Sequence, residues 1–136
     1  MKILIDTNVI LDIFQKREPF FRDSYQALHK AIEAESECLV SASSATDIFY
    51  MLRKFLKSAV QAKERIEQLS QIVTFADVQG MDIQTALMHT MPDFEDAVVD
   101  AVAERKGANY ILTRNIKDFT GSAVPAVTPA DFLKQL

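Results

Sequence analysis

Two rhythms of apolar residues alternate along the chain. Short runs of neighbouring apolar residues stand between longer stretches in which apolar residues return every three or four positions. The first rhythm is that of a strand buried on both faces, the second that of an amphipathic helix. Residues 2–6 (with Ile3, Leu4 and Ile5 at the centre), 37–41, 73–76, 109–113 and 126–127 read as strands. Helices are expected at 8–15, 20–35, 44–57, 59–72, 82–90, 93–106 and 129–135. Proline and glycine punctuate the pattern where a helix has to stop or start. Pro19 cannot continue the first helix, Pro92-Asp93 opens the late one, Gly107 closes it, and Thr128-Pro129 caps the last. Strands alternating with helices predict an α/β fold with a mainly parallel sheet. No repeat, low-complexity segment or linker interrupts the pattern, so residues 1–136 are expected to form one domain.

Composition narrows this reading without redirecting it. Apolar residues make up 49% of the 136 and charged residues 25%, the balance of an ordinary globular chain rather than a disordered one. Only 3 Gly and 4 Pro argue against a turn-rich all-β fold. The formal charge of −4 supplies no overall attraction to nucleic acid or anionic membrane, so a polyanionic substrate needs local cations or a metal. Cys38 is the only cysteine, which excludes an internal disulfide and fits a reducing cytoplasm. No signal-peptide layout opens the chain, and no apolar run approaches the roughly 18–20 residues that span a bilayer.

Acids and amides recur where strands end. The first strand stops at Asp6-Thr7-Asn8, and the fourth runs into Thr113-Arg114-Asn115. Asp47 follows the second strand by six residues, although Ser44-Ala-Thr-Asp47 also has capping-box spacing. In the helix opening at Asp93, the acids Asp93, Asp96, Asp100 and Glu104 share a stripe about 80° wide. Phe94, Val98, Ala101 and Val102 form the adjacent face, expected to be buried. Asp93 has the ordinary reading of an N-cap with Asp96 in the capping box, while Asp100 and Glu104 read as a solvated face. Several carboxylates gathered at one sheet edge cannot all stay ionised unless cations compensate them. Hard oxygen donors without His or Cys select Mg²⁺ or Mn²⁺.

Four segments together resemble the PIN-domain family of metal-dependent ribonucleases, which includes the VapC-type toxins of toxin–antitoxin pairs. They are Ile3-Leu-Ile-Asp6-Thr7-Asn8-Val9, Ser41-Ala-Ser-Ser-Ala-Thr-Asp47-Ile-Phe-Tyr50, Asp93-Phe-Glu-Asp96-Ala, and Tyr110-Ile-Leu-Thr113-Arg114-Asn115-Ile-Lys117-Asp118-Phe119. The resemblance implies a three-layer α/β/α domain with strand order 3-2-1-4-5. It matches Asp6 to the family's first metal-binding acid, Asp96 to the acid opening the late helix, and Asn8 and Thr113 to supporting polar positions. Two departures stand out. The family usually carries Glu where Asp47 stands, and many members carry a fourth acid where this chain has Asn115, with Asp118 one turn later as an alternative.

The expected activity is hydrolysis of RNA phosphodiesters with Mg²⁺ or Mn²⁺. Asp6, Asp96 and Asp47 are the candidate catalytic and metal-binding acids, Asp93 assists, and Asn115 acts as a neutral ligand. Arg114 and Lys117, flanking the acids, are candidate substrate contacts. Arg53, Lys54 and Lys57 read first as solvated surface, with RNA contact as the alternative. His29 and His89 have no acidic partner at useful spacing. Phe20, Phe21 and Tyr25 read as helical core or a dimer face. The resemblance also implies an antitoxin partner and a homodimer, with no role for a membrane. Two other classes compete: a non-catalytic nucleic-acid-binding or regulatory module with an incomplete site, and a phosphatase-like hydrolase. The latter commonly needs Asp where Asn8 stands.

Overall fold

A computed structural model describes residues 1–135. Its strands are β1 (Lys2–Ile5), β2 (Glu37–Ser41), β3 (Thr74–Ala76), β4 (Tyr110–Leu112) and β5 (Ala126–Val127). Its helices are α1 (Thr7–Phe14), α2 (Phe21–Glu33), α3 (Ala42–Leu56), α4 (Ala59–Ser70), α5 (Gly80–Leu87), α6 (Phe94–Lys106) and α7 (Pro129–Lys134). A short 3-10 helix, Ile116–Phe119, follows β4. All the elements expected from the apolar rhythm are present, most with their ends shifted by one to three residues. The five strands form one sheet in the order β3-β2-β1-β4-β5, every pair parallel.

Side chains of successive strand residues go to opposite faces, and both faces are covered. Ile3, Ile5, Cys38, Val40, Leu112 and Val127 join one core with residues of α1, α2, α3, α4 and α7. Leu4, Leu39, Ala76 and Ile111 join the other with α5 and α6. That division explains the uninterrupted apolar runs and yields the three layers expected from the resemblance. It also places α3 and α6 on opposite faces of the sheet, with β1 between them.

The order 3-2-1-4-5 has a mechanical consequence. The chain builds outward from β1 to β3, crosses back, and lays β4 on the other side of β1. The crossovers leaving β1 and β4 therefore diverge, and a crevice opens at the carboxyl ends of those two strands. Asp6 and Thr113 stand at those ends, joined to the sheet by Asp6 N–H donating to Leu112 O and Thr113 N–H donating to Val127 O.

The helix ends are set by the expected chemistry in three places. Asp93 Oδ1 accepts from Asp96 N–H at 3.0 Å, Thr128 Oγ1 accepts from Asp131 N–H at 3.1 Å, and Gly107 takes a left-handed φ of 73°. At α3 the capping-box spacing is not used: the helix begins after Ser41, so Ser44 lies inside it and forms no capping box with Asp47.

The acidic stripe of α6 needs a larger correction. Asp100 is buried, not solvated: its carboxylate accepts from Ala123 N–H at 2.9 Å and Val124 N–H at 3.0 Å. It thereby ties the segment before β5 to α6. Glu104 is exposed as expected, whereas Phe94, assigned to the buried face, is 48% exposed. Phe94 instead lines the open cavity at the carboxyl ends of the strands. Removing the Asp100 carboxylate leaves two backbone donors without their acceptor. Asp100→Ala is expected to cost roughly 2–3 kcal/mol, and Glu104→Ala to stay within about 0.5 kcal/mol of wild type, both read from urea denaturation.

Candidate active site

Asp6 is 7% exposed and serves as the N-cap of α1. Its Oδ1 accepts from Thr7 N–H at 2.8 Å; its Oδ2 accepts from the Thr113 hydroxyl at 2.8 Å and from Asn8 Nδ2 at 3.2 Å. Asn8 Nδ2 also reaches Thr113 Oγ1 at 3.3 Å, and its Oδ1 accepts from Arg114 N–H at 3.2 Å. Thr113 Oγ1 in turn accepts from Asn115 N–H at 3.1 Å. Asn8 and Thr113 thus join the acid and the loop after β4 in one network.

A cavity of about 720 Å³ opens above this network. Asp6, Asn8, Asp47, Asp96 and Asn115 all line it. The structure therefore brings together acids separated by up to 90 positions in the chain. Asp96 enters from the first turn of α6 on one face of the sheet, Asp47 from α3 on the other. Asp93 is absent from the lining: its carboxylate is committed to capping α6, the ordinary reading of that residue. Asp96 forms no reciprocal capping-box contact, which leaves its carboxylate available to the cavity.

Burial governs the electrostatics, and crowding of like charge adds to it. Burial pushes the Asp96 carboxyl up to about 7, with repulsion from Asp6, Asp93 and Asp118 adding to it. Burial also raises Asp6, against the lowering effect of the Thr113 and Thr7 hydrogen bonds. Asp118 contributes charge to both acids but does not line the cavity.

The expected substrate contacts fare differently. Arg114 Nε donates to Asp12 Oδ2 at 2.6 Å and Nη2 to Oδ1 at 3.1 Å, while the Phe20 ring lies 3.9 Å from its guanidinium carbon. Asp12 is fully buried and also accepts from Ser24 Oγ at 3.1 Å. The Arg114 side chain is therefore paired with Asp12 and stands outside the lining of this cavity, on a neighbouring one that it shares with Asn115. Lys117 is exposed and stands outside the cavity lining. Arg17, Ser43, Thr46 and Tyr50 do line it, and sequence reasoning passed over them. The signal for Asp12 was available: an acid embedded among Val9, Ile10, Leu11 and Ile13 requires a buried partner.

Further expectations need correcting. His29 Nε2 lies 2.8 Å from Glu33 one turn on, and His89 Nε2 lies 3.7 Å from the buried Asp100. Both therefore have acidic partners, although neither approaches the cavity lining. Phe20 and Tyr25 are too exposed, at 40% and 50%, to be core.

The donors fit a hard cation. Those facing the cavity are carboxylate, amide and hydroxyl oxygens, with no His or Cys among the lining residues. Among the described residues, no three His, Cys, Asp or Glu side chains converge closely enough to cage an ion by themselves. Mg²⁺ and Mn²⁺ do not require such a cage, since Mg²⁺ in particular keeps several waters and is held by one or two carboxylates together with substrate oxygens. Asp6 and Asp96 supply two carboxylates whose mutual repulsion a cation relieves.

An acid-lined crevice at the switch point of a doubly wound parallel sheet defines a class of α/β proteins that gather carboxylates at the strand ends. Within that class the chain belongs to the PIN domain family, whose model matches residues 2–117. Ribonuclease VapC1 of Aquifex aeolicus (strain VF5) is 26% identical over 98% of this chain and 94% of its own length. Among solved structures, VapBC2 from Rickettsia felis bound to a promoter DNA fragment aligns with a TM-score of 0.76 at 15% identity, covering 94% of this chain and 98% of that one. A toxin–antitoxin complex from Klebsiella pneumoniae aligns at 0.71 and 22% identity, over 93% and 97%. VapC20 of Mycobacterium tuberculosis, described as a Sarcin-Ricin loop cleaving toxin, aligns at 0.60 and 19% identity, over 80% and 86%. At these identities the structural likenesses establish the shared fold.

The raised acids set a pH dependence of stability. Asp96 binds its proton more tightly when folded than when unfolded, so its contribution is fully present below the unfolded value of 3.8 and is lost as pH rises through about 7. Asp6 acts in the same direction. Asp96→Asn keeps the shape and removes the charge. In EDTA its melting temperature is expected to exceed that of wild type by more at pH 8 than at pH 4.5, as read by thermal denaturation.

Proposed function

We propose that the protein is a divalent-metal-dependent endoribonuclease, the toxin member of a toxin–antitoxin pair. The single observation carrying this reading is the convergence of Asp6, Asp96 and Asp47 from three elements on one cavity whose acids repel each other. Support for the substrate class comes from membership of the PIN domain family and from likeness along nearly the whole chain to a curated VapC1 ribonuclease. Support for a protein partner comes from the neighbouring structures, several of which are toxin–antitoxin complexes. The same reading carries a homodimer and a place in the cytoplasm. No helix among the described residues is long and apolar enough to cross a membrane.

When bound, Mg²⁺ or Mn²⁺ supplies positive charge at the phosphoryl oxygens and lowers the pKa of water. The chain's own residues do the rest. Asp6 and Asp96 would hold the cation, Asp6 kept in place by Thr113, Asn8 and the Thr7 N–H, so that little reorganisation would be needed when charge develops. Asp47, exposed on the facing wall, orients the attacking water and takes its proton. Asn115 offers a neutral oxygen to cation or phosphate without adding to the repulsion between the acids. Its place depends on Thr113 and on the Arg114–Asp12 pair, which fixes the loop from below.

Asp6→Asn and Asp96→Asn are each expected to reduce Mn²⁺-supported cleavage of single-stranded and structured RNA by at least about a hundredfold while the fold is retained. Undiminished cleavage by either variant would refute the assignment. Calorimetric titration with Mn²⁺ separates this reading from a non-catalytic module, for which no heat of binding is expected.

A further inference from the structure

Helix α3 has two chemically opposite ends. Asp47, near its start, faces the acid cavity, while Arg53, Lys54 and Lys57 crowd its finish. At the finish, α4 starts again after only two residues, Lys57 and Ser58. The turn between them leaves a second cavity of about 400 Å³, lined by Tyr50, Arg53, Lys54, Lys57, Ser58 and Ala59. Tyr50 lines both cavities and so stands between them.

The ordinary explanation for cations here is the helix dipole, which favours Lys and Arg in a last turn. That accounts for their presence at the end of α3 but not for their gathering around one cleft without counter-charge. Lys2, Arg105, Lys106, Arg114 and Lys134 all form ion pairs with carboxylates. Among the described residues the other ten of the fifteen Lys and Arg form none, and Arg53, Lys54 and Lys57 are the three of these that line one cleft together. Lys54 instead stands over the exposed Tyr50 ring, its Nζ 5.5 Å from the centroid. Lys57 adopts a left-handed φ of 55° to make the turn.

Spacing sets the direction of the path. Asp47, Tyr50 and Lys54 are three and then four residues apart, so they lie along one stripe of the helix. At 1.5 Å per residue, Lys54 is on the order of 10 Å and Lys57 about 15 Å beyond Asp47 along the axis. That is the reach of a few nucleotides of an extended strand.

We propose that the Tyr50–Lys57 cleft binds the backbone phosphates of the RNA strand beside the bond being cut. The inference rests on the reading of the chain as a ribonuclease and extends it. It assigns the cations that a net-acidic protein needs to hold a polyanion, and places them on the helix that carries Asp47. The cleft reads phosphate, not base identity.

The test compares the full chain with Arg53→Gln/Lys54→Gln/Lys57→Asn, asparagine being tolerant of left-handed backbone. A control, Arg22→Gln/Lys30→Gln/Lys134→Gln, removes the same formal charge from exposed positions on α2 and α7. Cleavage with Mn²⁺ is measured on a dinucleotide and on a single-stranded oligoribonucleotide of about 15 nucleotides, a length within one binding groove's reach. Binding of the longer strand is measured on the same proteins carrying Asp96→Asn, across a range of salt concentrations. For the cleft variant, KM for the longer strand is expected to rise on the order of tenfold, with the loss falling on KM more than on kcat. Its advantage over the dinucleotide should shrink accordingly. The slope of log affinity against log salt should become shallower by about two, at roughly 0.7 per lost single-strand phosphate contact. A cleft variant whose KM and salt slope match the control overturns the proposal and leaves the ribonuclease reading intact. If no protein cleaves RNA, that reading fails, and the cleft is judged by the salt slope alone: shallower supports it, unchanged overturns it.

Discussion

The short hydrogen bond from the Thr113 hydroxyl to Asp6 Oδ2, 2.8 Å across the seam between β1 and β4, is the constraint around which the site is arranged. A carboxylate at the end of the central strand is almost wholly removed from water, and it stays there only because its oxygens are engaged. Thr113, the Thr7 N–H and Asn8 provide that engagement, and each has a further bond that fixes something else. Asn8 accepts from the Arg114 backbone, Thr113 accepts from Asn115, and Arg114 is pinned by Asp12. Satisfying one buried acid therefore also sets the course of the loop after β4.

The reverse is true at Asp96. It is partly buried, no ion pair to it is formed among the described residues, and the charges that act on it most are acids. One wall of the cavity is thus stabilised by hydrogen bonds while the other carries unrelieved repulsion, a division familiar from sites whose strain is offset by the scaffold. Asn115 belongs in this balance. A fourth acid there would face Asp6 and Asp96 directly, whereas the amide keeps an oxygen donor without raising the charge.

Strands and helices were legible in the chain because both sheet faces are covered, so strand runs are wholly apolar and helix periodicity is strong. The strand order came from resemblance alone, since apolar rhythm carries no record of which strands are neighbours. Asp6, Asn8, Thr113 and Asn115 were legible because they interrupt apolar runs at a strand end. Asp100 was misread because its partners, the Ala123 and Val124 amides, are backbone groups and leave no trace in side-chain patterning. The Asp12 pairing of Arg114 was not legible for a related reason: proximity in sequence to Asn115 says nothing about where a long side chain turns. It turned to Asp12, whose place amid an apolar stripe was the available clue. Phe94 shows the limit of helical periodicity, which identifies a face but not where the partner surface ends.

Helix α3 connects these local accounts. Its middle is anchored by Ile48 and Leu52, both fully buried, so its register against the sheet has little freedom. Asp47 precedes Ile48, and Arg53 and Lys54 follow Leu52, so the residues that face solvent are placed by the neighbours that do not. A rigid rod anchored at its centre holds its two ends at a constant separation. If the acid end is where phosphodiester chemistry occurs, the basic end lies at a set distance from it, and that distance comes from core packing. Local charge can then do what the protein's net charge opposes. A chain of formal charge −4 repels a polyanion at long range, but screening at physiological salt confines that repulsion to about 8 Å, while unpaired cations beside the cavity act at contact.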